Sequence, residues 1–247
     1  MSDQPFPWPE GARAAVSLTF DDARLTQPDV GIPLLDRFGV KGTFYVTPRN
    51  MTDRINAWHA AVANGHDIGN HTLTHPCSGN YPWSRDNALE DYTLERMERE
   101  LLDANAEIER LLGVAPRTFA YPCGQTCVGR GEGRRSYVPL VAKHFRVGRG
   151  AFNDIPNDPT FCDLACVASV DLDGATSDDM RSLVEKTTTS GGWLVLFSHE
   201  IGNGGFQITS AETLEKICAF RTEAKNRIWI DTVRAVGEYV AGARDVS

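Results

Sequence analysis

Short apolar runs alternate along the chain with longer segments in which apolar residues recur every three or four positions. The short runs predict β-strands and the longer segments predict amphipathic helices. The predicted strands cover residues 14–20, 42–46, 66–70, 117–121, 145–147, 164–170, 193–197 and 228–230. The predicted helices cover residues 30–38, 55–63, 89–112, 137–143, 178–188, 210–224 and 232–240.

This alternation predicts an α/β fold built from about seven βα units. The run from Trp193 to Phe197 is almost entirely apolar, which is typical of a parallel strand covered on both faces. We therefore expect a single distorted and incomplete (β/α) barrel, with a doubly wound open sheet as the alternative. Barrels of this kind often use about 250 residues as one unit, so residues 1–247 are predicted to form one catalytic domain.

Composition and charge limit the partners and the location that we expect for the chain. The chain has 247 residues and a formal net charge of −8, so nucleic acid is not an expected partner. It contains no apolar window of eighteen residues, so no membrane span is predicted. The amino terminus lacks a basic start followed by an apolar run, so we expect no secretory signal and a cytoplasmic location. The six cysteines are then expected to be reduced, buried residues.

Carboxylates and imidazoles follow three of the predicted strands. Asp21 and Asp22 end the first strand, His71 and His75 follow the strand at 66–70, and His199 ends the strand at 193–197. The carboxyl ends of the strands form the active face of an α/β barrel. We therefore expect these five side chains to share one surface.

Two histidines and one carboxylate can hold a hydrolytic metal ion and leave a coordination position open. The second aspartate can then act as a general base, and His199 can protonate a leaving group. Adjacent residues of a strand point to opposite faces. Both aspartates reach one site only if the backbone turns there, so the sequence predicts an irregular strand end and hydrolysis of an acyl bond.

Four segments together resemble the polysaccharide deacetylases, also called the NodB-homology group or carbohydrate esterase family 4. The segments are TFDD at 19–22, HTLTH at 71–75, FAYPCG at 119–124 and LVLFSH at 194–199. The first two are specific in combination and in order, and the resemblance runs from about residue 16 to residue 240. It implies a distorted (β/α) barrel and an acetylated carbohydrate as substrate.

The resemblance also implies a role for each site residue. Asp22, His71 and His75 would hold one divalent metal, usually zinc, with cobalt, nickel or manganese as alternatives. Asp21 would be the general base and His199 the general acid. The backbone N–H of Cys123 would stabilise the oxyanion, and the neighbouring Tyr121 would contact substrate.

The chain departs from the family pattern in its third and fourth motifs, and in a minor way at Ala23, where the first motif commonly has glycine. The third motif usually carries an arginine that orients the base, but Ala120 occupies that position here, and Tyr121 replaces a proline. We identify Arg149 as the candidate replacement, with a solvent-facing loop arginine as the alternative. The fourth motif, an aspartate that tunes the catalytic histidine, is matched weakly by Asp171, and Glu200 is the other candidate.

The leading functional prediction is a metal-dependent hydrolase that removes acetyl groups from N-acetylated amino sugars of a poly- or oligosaccharide. The first alternative is a related hydrolase of a small cytosolic amide or cyclic ureide. The second is a carbohydrate-binding relative with reduced turnover. The intact set of aspartates and histidines argues against loss of turnover, and the sequence carries no information on oligomeric state.

Overall fold

The computed structural model describes residues 5–221 and 227–245. Within them, eight strands form one curled sheet in which every pairing is parallel. The strands are β1 Ala14–Asp21, β2 Thr43–Val46, β3 Asp67–Asn70, β4 Thr118–Ala120, β5 Val147–Arg149, β6 Val170–Asp171, β7 Trp193–Ser198 and β8 Ile228–Ile230.

The sheet has the order β5-β4-β3-β2-β1-β7-β6, and β8 pairs with the first residues of β1. A single backbone bridge between Arg149 and Val167, just ahead of β6, joins the two ends of the sheet. The strands therefore curl into a distorted and incomplete barrel, as the alternation of elements predicted. The open doubly wound sheet is excluded because the two edges meet.

Helices cover the outside of the sheet. They are α1 Ile32–Arg37, α2 Pro48–Met51, α3 Ile55–Ala63, α4 Leu94–Leu112, α5 Val138–His144, α6 Ser177–Ser190, α7 Ala211–Phe220 and α8 Val233–Asp245. In the part of the chain that the structure describes, no helix is long and apolar enough to span a bilayer. The cytoplasmic location stays a prediction.

Three predicted boundaries are wrong. The helix predicted from residue 89 begins at Leu94, because the Thr93 side chain caps α4 by accepting a hydrogen bond from the Arg96 N–H. The strand predicted at 164–170 starts instead as a 3-10 turn, Leu164–Cys166, capped by Asp163. The strand predicted at 145–147 runs from Val147 to Arg149. Part of the helix predicted at 210–224 lies outside the described residues.

The two faces of β1 have different roles. Val16, Leu18 and Phe20 belong to the largest apolar core. Ser17 and Thr19 point the other way, where Trp193 Nε1 donates to Ser17 and the Thr19 hydroxyl donates to a carbonyl of β7. Because side chains alternate along a strand, Asp21 lies on the same face as Ser17 and Thr19. The strand therefore delivers a carboxylate to the end of the barrel interior.

Candidate active site

The carboxyl ends of the strands surround a cavity of about 800 Å³. Seven of the eight site residues predicted from the sequence line this cavity. The eighth, Arg149, does not line it but contacts the carboxylate of Asp21, which does. The predicted convergence of the strand ends on one surface is therefore confirmed.

The chain turns sharply at the end of β1. Asp22 and Ala23 both have left-handed backbone conformations, with φ of 73° and 52°. The Asn50 side chain donates to the Asp22 carbonyl over 2.8 Å and holds this turn. The predicted irregularity at the strand end is confirmed, and it lets two successive carboxylates face the same cavity.

The loop after β3 is also held in an unusual conformation. Thr72 and His75 have φ of 67° and 53°. Asn70 Oδ1 accepts from the Thr72 N–H over 2.6 Å, and the Thr72 hydroxyl accepts from the His75 N–H over 2.9 Å. These bonds bring the two imidazoles, four residues apart in sequence, to a ring separation of 4.8 Å.

Asp22, His71 and His75 present their ligand atoms to one point. Asp22 Oδ1 lies 3.6 Å from His71 Nε2 and 3.4 Å from His75 Nε2. Ligand atoms bound about 2.0–2.2 Å from a tetrahedral zinc ion are about 3.3–3.6 Å apart. The spacing and the two-nitrogen, one-oxygen donor set therefore fit a divalent metal.

Neighbouring groups orient these ligands. His71 Nδ1 lies 2.9 Å from the Ala120 carbonyl, which favours a proton on Nδ1 and leaves the Nε2 lone pair free. Arg24 donates from two nitrogens to Asp22 Oδ2, at 2.9 and 3.2 Å, and so directs Oδ1 toward the histidines.

The electrostatic environment favours a neutral His75 and an ionised Asp22. Burial and the neighbouring His71 lower the pKa of His75 to about 4, so its ring is neutral near pH 7. Burial alone would raise the pKa of Asp22, but His71, His75 and Arg24 outweigh it and hold that pKa below 3.8. An ionised Asp22 carboxylate beside a neutral His75 ring is suited to bind a metal.

Asp21 is paired with the predicted arginine. Arg149 Nη2 donates to Asp21 Oδ2, and the arginine is completely buried, in a strand and not in a solvent-facing loop. In the pairing of β4 with β5, Arg149 lies opposite Ala120, the position where the family usually carries its arginine. The cation therefore comes from the adjacent strand.

His199 contacts a carboxylate that the sequence reasoning missed. Its Nδ1 lies 2.6 Å from Asp173 Oδ2, and Asp173 Oδ1 accepts from Ser198 Oγ over 2.8 Å. Neither Asp171 nor Glu200 fills this role, because Asp171 accepts from the Asp173 N–H and Glu200 accepts from Thr26. The prediction of Asp171 or Glu200 is wrong.

The environment of His199 favours its protonated form. Burial lowers the pKa, but the hydrogen bond to Asp173 and the charges of Asp21, Asp173 and Asp22 outweigh it, so the pKa is raised from 6.5. With Nδ1 bound to Asp173, Nε2 is the nitrogen directed to the cavity, where Gln207 Nε2 lies 3.3 Å from it. A histidine in this state can donate a proton.

Cys123 lies in a tight turn at the cavity wall. The N–H groups of Gly124 and Gln125 close the turn by bonding to the carbonyls of Tyr121 and Pro122, and these bonds do not use the Cys123 N–H. Cys123 has φ of 53°, a conformation uncommon outside glycine. Tyr121 borders the cavity, but its hydroxyl donates to the Ala165 carbonyl over 2.7 Å.

Cys123 is joined to Cys77 by a disulfide across 46 positions of sequence. The expectation of six reduced thiols is therefore wrong for this pair, while Cys127, Cys162, Cys166 and Cys218 are free. The two sulfurs also lie near His75 in a group that could hold a metal. Sulfurs within a disulfide are not thiolates, so the Asp22 set is the metal site that fits this structure.

Aromatic side chains border two parts of the cavity. Tyr81 and Trp83 stack with ring centroids 5.4 Å apart, and Trp83 lies 5.9 Å from the His75 ring. Phe152 and Phe206 also line the cavity and are largely exposed. By contrast, Trp58 is buried in the core. Exposed rings beside a polar centre can stack against the apolar faces of a sugar.

Gln27 is a second residue that sequence reasoning missed. It is completely buried, and its Nε2 donates to the carbonyls of Asp21 and His199 over 2.6 and 2.8 Å. It thus ties together the ends of β1 and β7. No local pattern signals this role of Gln27. Asp173 lies two residues after the predicted Asp171, so the sequence points to the segment but not to which of its carboxylates contacts His199.

Comparisons with known proteins agree with this geometry. A family model described as polysaccharide deacetylase matches residues 9–128. The chain is 33% identical over 96 residues to a chitooligosaccharide deacetylase of Sinorhizobium fredii, a match covering 38% of this chain and 39% of the relative. The matches span only 5% to 39% of the length of the four curated relatives.

Solved structures share the fold over nearly the whole chain. A polysaccharide deacetylase structure from Mycobacterium smegmatis has a TM-score of 0.69 at 18% identity and covers 98% of this chain and 95% of that one. A family 4 acetyl xylan esterase from Clostridium thermocellum, solved with a cobalt ion, has a TM-score of 0.58 at 18% identity and covers 91% of each chain. The family model matches residues 9–128, about half of the chain, and the fold is shared over nearly all of it, so this chain resembles the polysaccharide deacetylases in both sequence and fold.

Proposed function

We propose that this protein is a metal-dependent hydrolase that removes acetyl groups from N-acetylated amino sugars of a poly- or oligosaccharide. The observation that carries the proposal is the meeting of the Asp22, His71 and His75 ligand atoms with Asp21 and His199 in one cavity. Deacetylation is the activity after which the family is described.

Asp22, His71 and His75 would hold the metal, and zinc is the ion we propose because it favours imidazole nitrogens with a carboxylate oxygen. When bound, such an ion polarises an acyl carbonyl and lowers the pKa of water. The related acetyl xylan esterase was solved with cobalt, so other divalent ions are alternatives for loading.

Asp21 and His199 would move the protons. Asp21 Oδ2 is taken by Arg149, whereas Oδ1 is buried without a hydrogen-bond partner among the described residues. A buried, unpartnered carboxylate oxygen at the reacting centre is suited to accept a proton from the attacking water. Protonated His199 would then donate from Nε2 to the departing amine, while Asp173 holds the ring.

The Cys123 N–H would donate to the oxyanion that develops on the acyl oxygen. Its turn is closed by other N–H groups, so this donor is available to the cavity wall. A preorganised backbone donor of this kind typically contributes about 10²–10³ in rate. Tyr121 would act through its packing beneath the turn, since its hydroxyl is bound elsewhere.

The aromatic walls support a saccharide as substrate. Tyr81 and Trp83 form a stacked, exposed pair next to the ligand His75. A small ureide does not require platforms of this extent. The similarity to a chitooligosaccharide deacetylase also supports an N-acetylated sugar.

A panel of substrates tests the proposal. Zinc-loaded protein would be assayed for acetate release from chitooligosaccharides, acetylxylan and peptidoglycan fragments, and for ring opening of cyclic ureides to the ureido acid. We expect acetate from at least one N-acetylated saccharide, and strongly reduced release in Asp21→Asn. Ring opening of ureides alone would establish the ureide alternative, and binding of saccharide without turnover would establish the carbohydrate-binding alternative.

A further inference from the structure

The Cys77–Cys123 disulfide joins the two loops that form the reacting centre. Cys77 follows the proposed ligand His75 by two residues, and Cys123 carries the proposed oxyanion donor. The two loops come from different strand ends, β3 and β4, and are separated by the whole of α4. A covalent bond at this position connects the metal side of the site to the donor side.

The Cys77 end of the bond is firmly held. Its N–H donates to Ser84 Oγ over 3.0 Å, and its carbonyl accepts from Ser84 Oγ over 3.0 Å and from the Leu89 N–H over 2.9 Å. The residue is completely buried. Cys77 is therefore a fixed point from which the disulfide can position its partner.

The Cys123 end has less support of its own. Its backbone adopts a left-handed conformation that costs about 1 kcal/mol or more for a residue with a Cβ. One further contact joins the two loops, a 2.7 Å hydrogen bond from the Ser78 N–H to Gln125 Oε1. The cross-link thus helps to maintain a backbone conformation that the turn does not favour by itself.

We propose that Cys77 and Cys123 are positioning residues, and that their disulfide sets the place of the Cys123 N–H relative to the metal ligands. The inference rests on the proposed deacetylase function. It adds that activity depends on the redox state of this one pair.

Reduction would release the donor loop. A dithiol attacks one sulfur of the pair, both cysteines end as thiols, and the dithiol leaves as its own cyclic disulfide. Cys123 is half-buried at the cavity wall, so a small reductant can approach it. In a glutathione-buffered compartment the pair would be exposed to this exchange.

The test begins with the zinc-loaded protein after mild oxidation with oxidised glutathione. Peptide mapping should find Cys77 linked to Cys123. A phosphine reductant that binds zinc weakly should then lower kcat about 10-fold with KM changed less than twofold. The drop is smaller than the 10²–10³ expected for losing an oxyanion donor outright, because the loop is loosened and not deleted.

Variants separate this effect from others. The double variant Cys77→Ser/Cys123→Ser should have the reduced protein's kcat and no response to reductant. Cys162→Ser, which alters a free half-buried cysteine outside the cavity lining, should respond as wild type does. Equal kcat in oxidised, reduced and double-variant protein would overturn the proposal. It would also be overturned if Cys162→Ser, in its oxidised form and without reductant, lost as much kcat as the double variant.

A readout independent of turnover keeps the proposal testable should no acetylated substrate react. Hydrogen exchange of the amides of Tyr121 and of residues 123–125 should quicken on reduction, while exchange in α6 is unaffected. Unchanged exchange, or the absence of the linked peptide, would contradict the positioning role. Absence of acetate release from an oxidised, metal-loaded protein would instead count against the proposed function.

Discussion

Arg149 donates to the carboxylate of Asp21 inside the barrel, across 128 positions of sequence, and its guanidinium carbon lies 5.1 Å from the ring centres of both Tyr45 and Phe197. Both charged side chains are almost fully buried. The arginine also lies opposite Ala120 in the sheet. The cation that contacts the candidate base Asp21 therefore lies on β5, one strand away from Ala120 on β4.

We expect Arg149→Met to destabilise the protein by about 3–5 kcal/mol, because it leaves Asp21 charged, buried and unpaired. The double variant Asp21→Asn/Arg149→Met should recover most of that stability without recovering activity. Urea unfolding measures the stabilities. Additive losses of stability in the double variant would contradict a direct pairing. Arg54→Met is the control: it breaks an exposed pair with Asp29, and its stability should remain near that of wild type.

Transplanting the cation tests its location. Ala120→Arg/Arg149→Ala places the arginine where the family usually carries it. We expect this variant to be more active than Arg149→Ala alone, because either strand can direct a guanidinium to Asp21. The measurement is kcat/KM of the double variant and of Arg149→Ala. Equal values would mean that an arginine at position 120 cannot replace Arg149.

Asp21→Asn and His199→Ala should each lower turnover by about 10²–10⁴ while the metal content stays at the wild-type level. The reason is that each removes a proton-transfer group but no proposed ligand. Turnover and bound metal are measured on the same samples. Near-normal turnover in both variants would refute the assigned roles.

Purified protein should contain about one divalent ion per chain, since among the described residues the set of Asp22, His71 and His75 fits a metal. Chelation should abolish activity and zinc should restore it. His71→Ala should lower the metal content sharply, whereas His59→Ala, at an exposed position on α3, should not. Elemental analysis gives the stoichiometry, and full metal content in His71→Ala would argue against the site.

Asp173→Asn should shift the pH profile of kcat. The raised pKa of His199 keeps the acid protonated to higher pH, so turnover falls only as pH rises through that value. Removing the Asp173 charge lowers this pKa, and the basic limb should move down by about 1 pH unit. The acidic limb should not move, and Asp171→Asn, which lacks the direct contact, should shift the basic limb less.

Gln27→Leu should lower kcat about 10-fold and destabilise the protein by about 1–3 kcal/mol, because the carbonyls of Asp21 and His199 lose a buried donor. Separate assays of turnover and of urea unfolding distinguish the two effects. A variant with wild-type kcat would mean that the strand ends keep their spacing without Gln27.

Most of the site was predictable because its chemistry lies at strand ends. Asp21, Asp22, His71, His75 and His199 each follow a segment that is predicted to be a strand, and parallel strands bring their carboxyl ends to one face. Boundaries were less predictable. The start of α4 was placed five residues early because Leu89 extends the apolar pattern, whereas the Thr93 cap decides where the helix begins.

The sequence by itself determined the (β/α) barrel and which carboxylates and imidazoles lie at its strand ends, since these follow from periodicity and from short motifs. Only the tertiary structure decided the partners: Arg149 for Asp21, Asp173 in place of Asp171 for His199, and Cys77 for Cys123. Each of these pairs joins residues from different strand ends. Their contacts depend on how the sheet curls and where each strand ends. No local pattern of side chains encodes the distance between two strand ends.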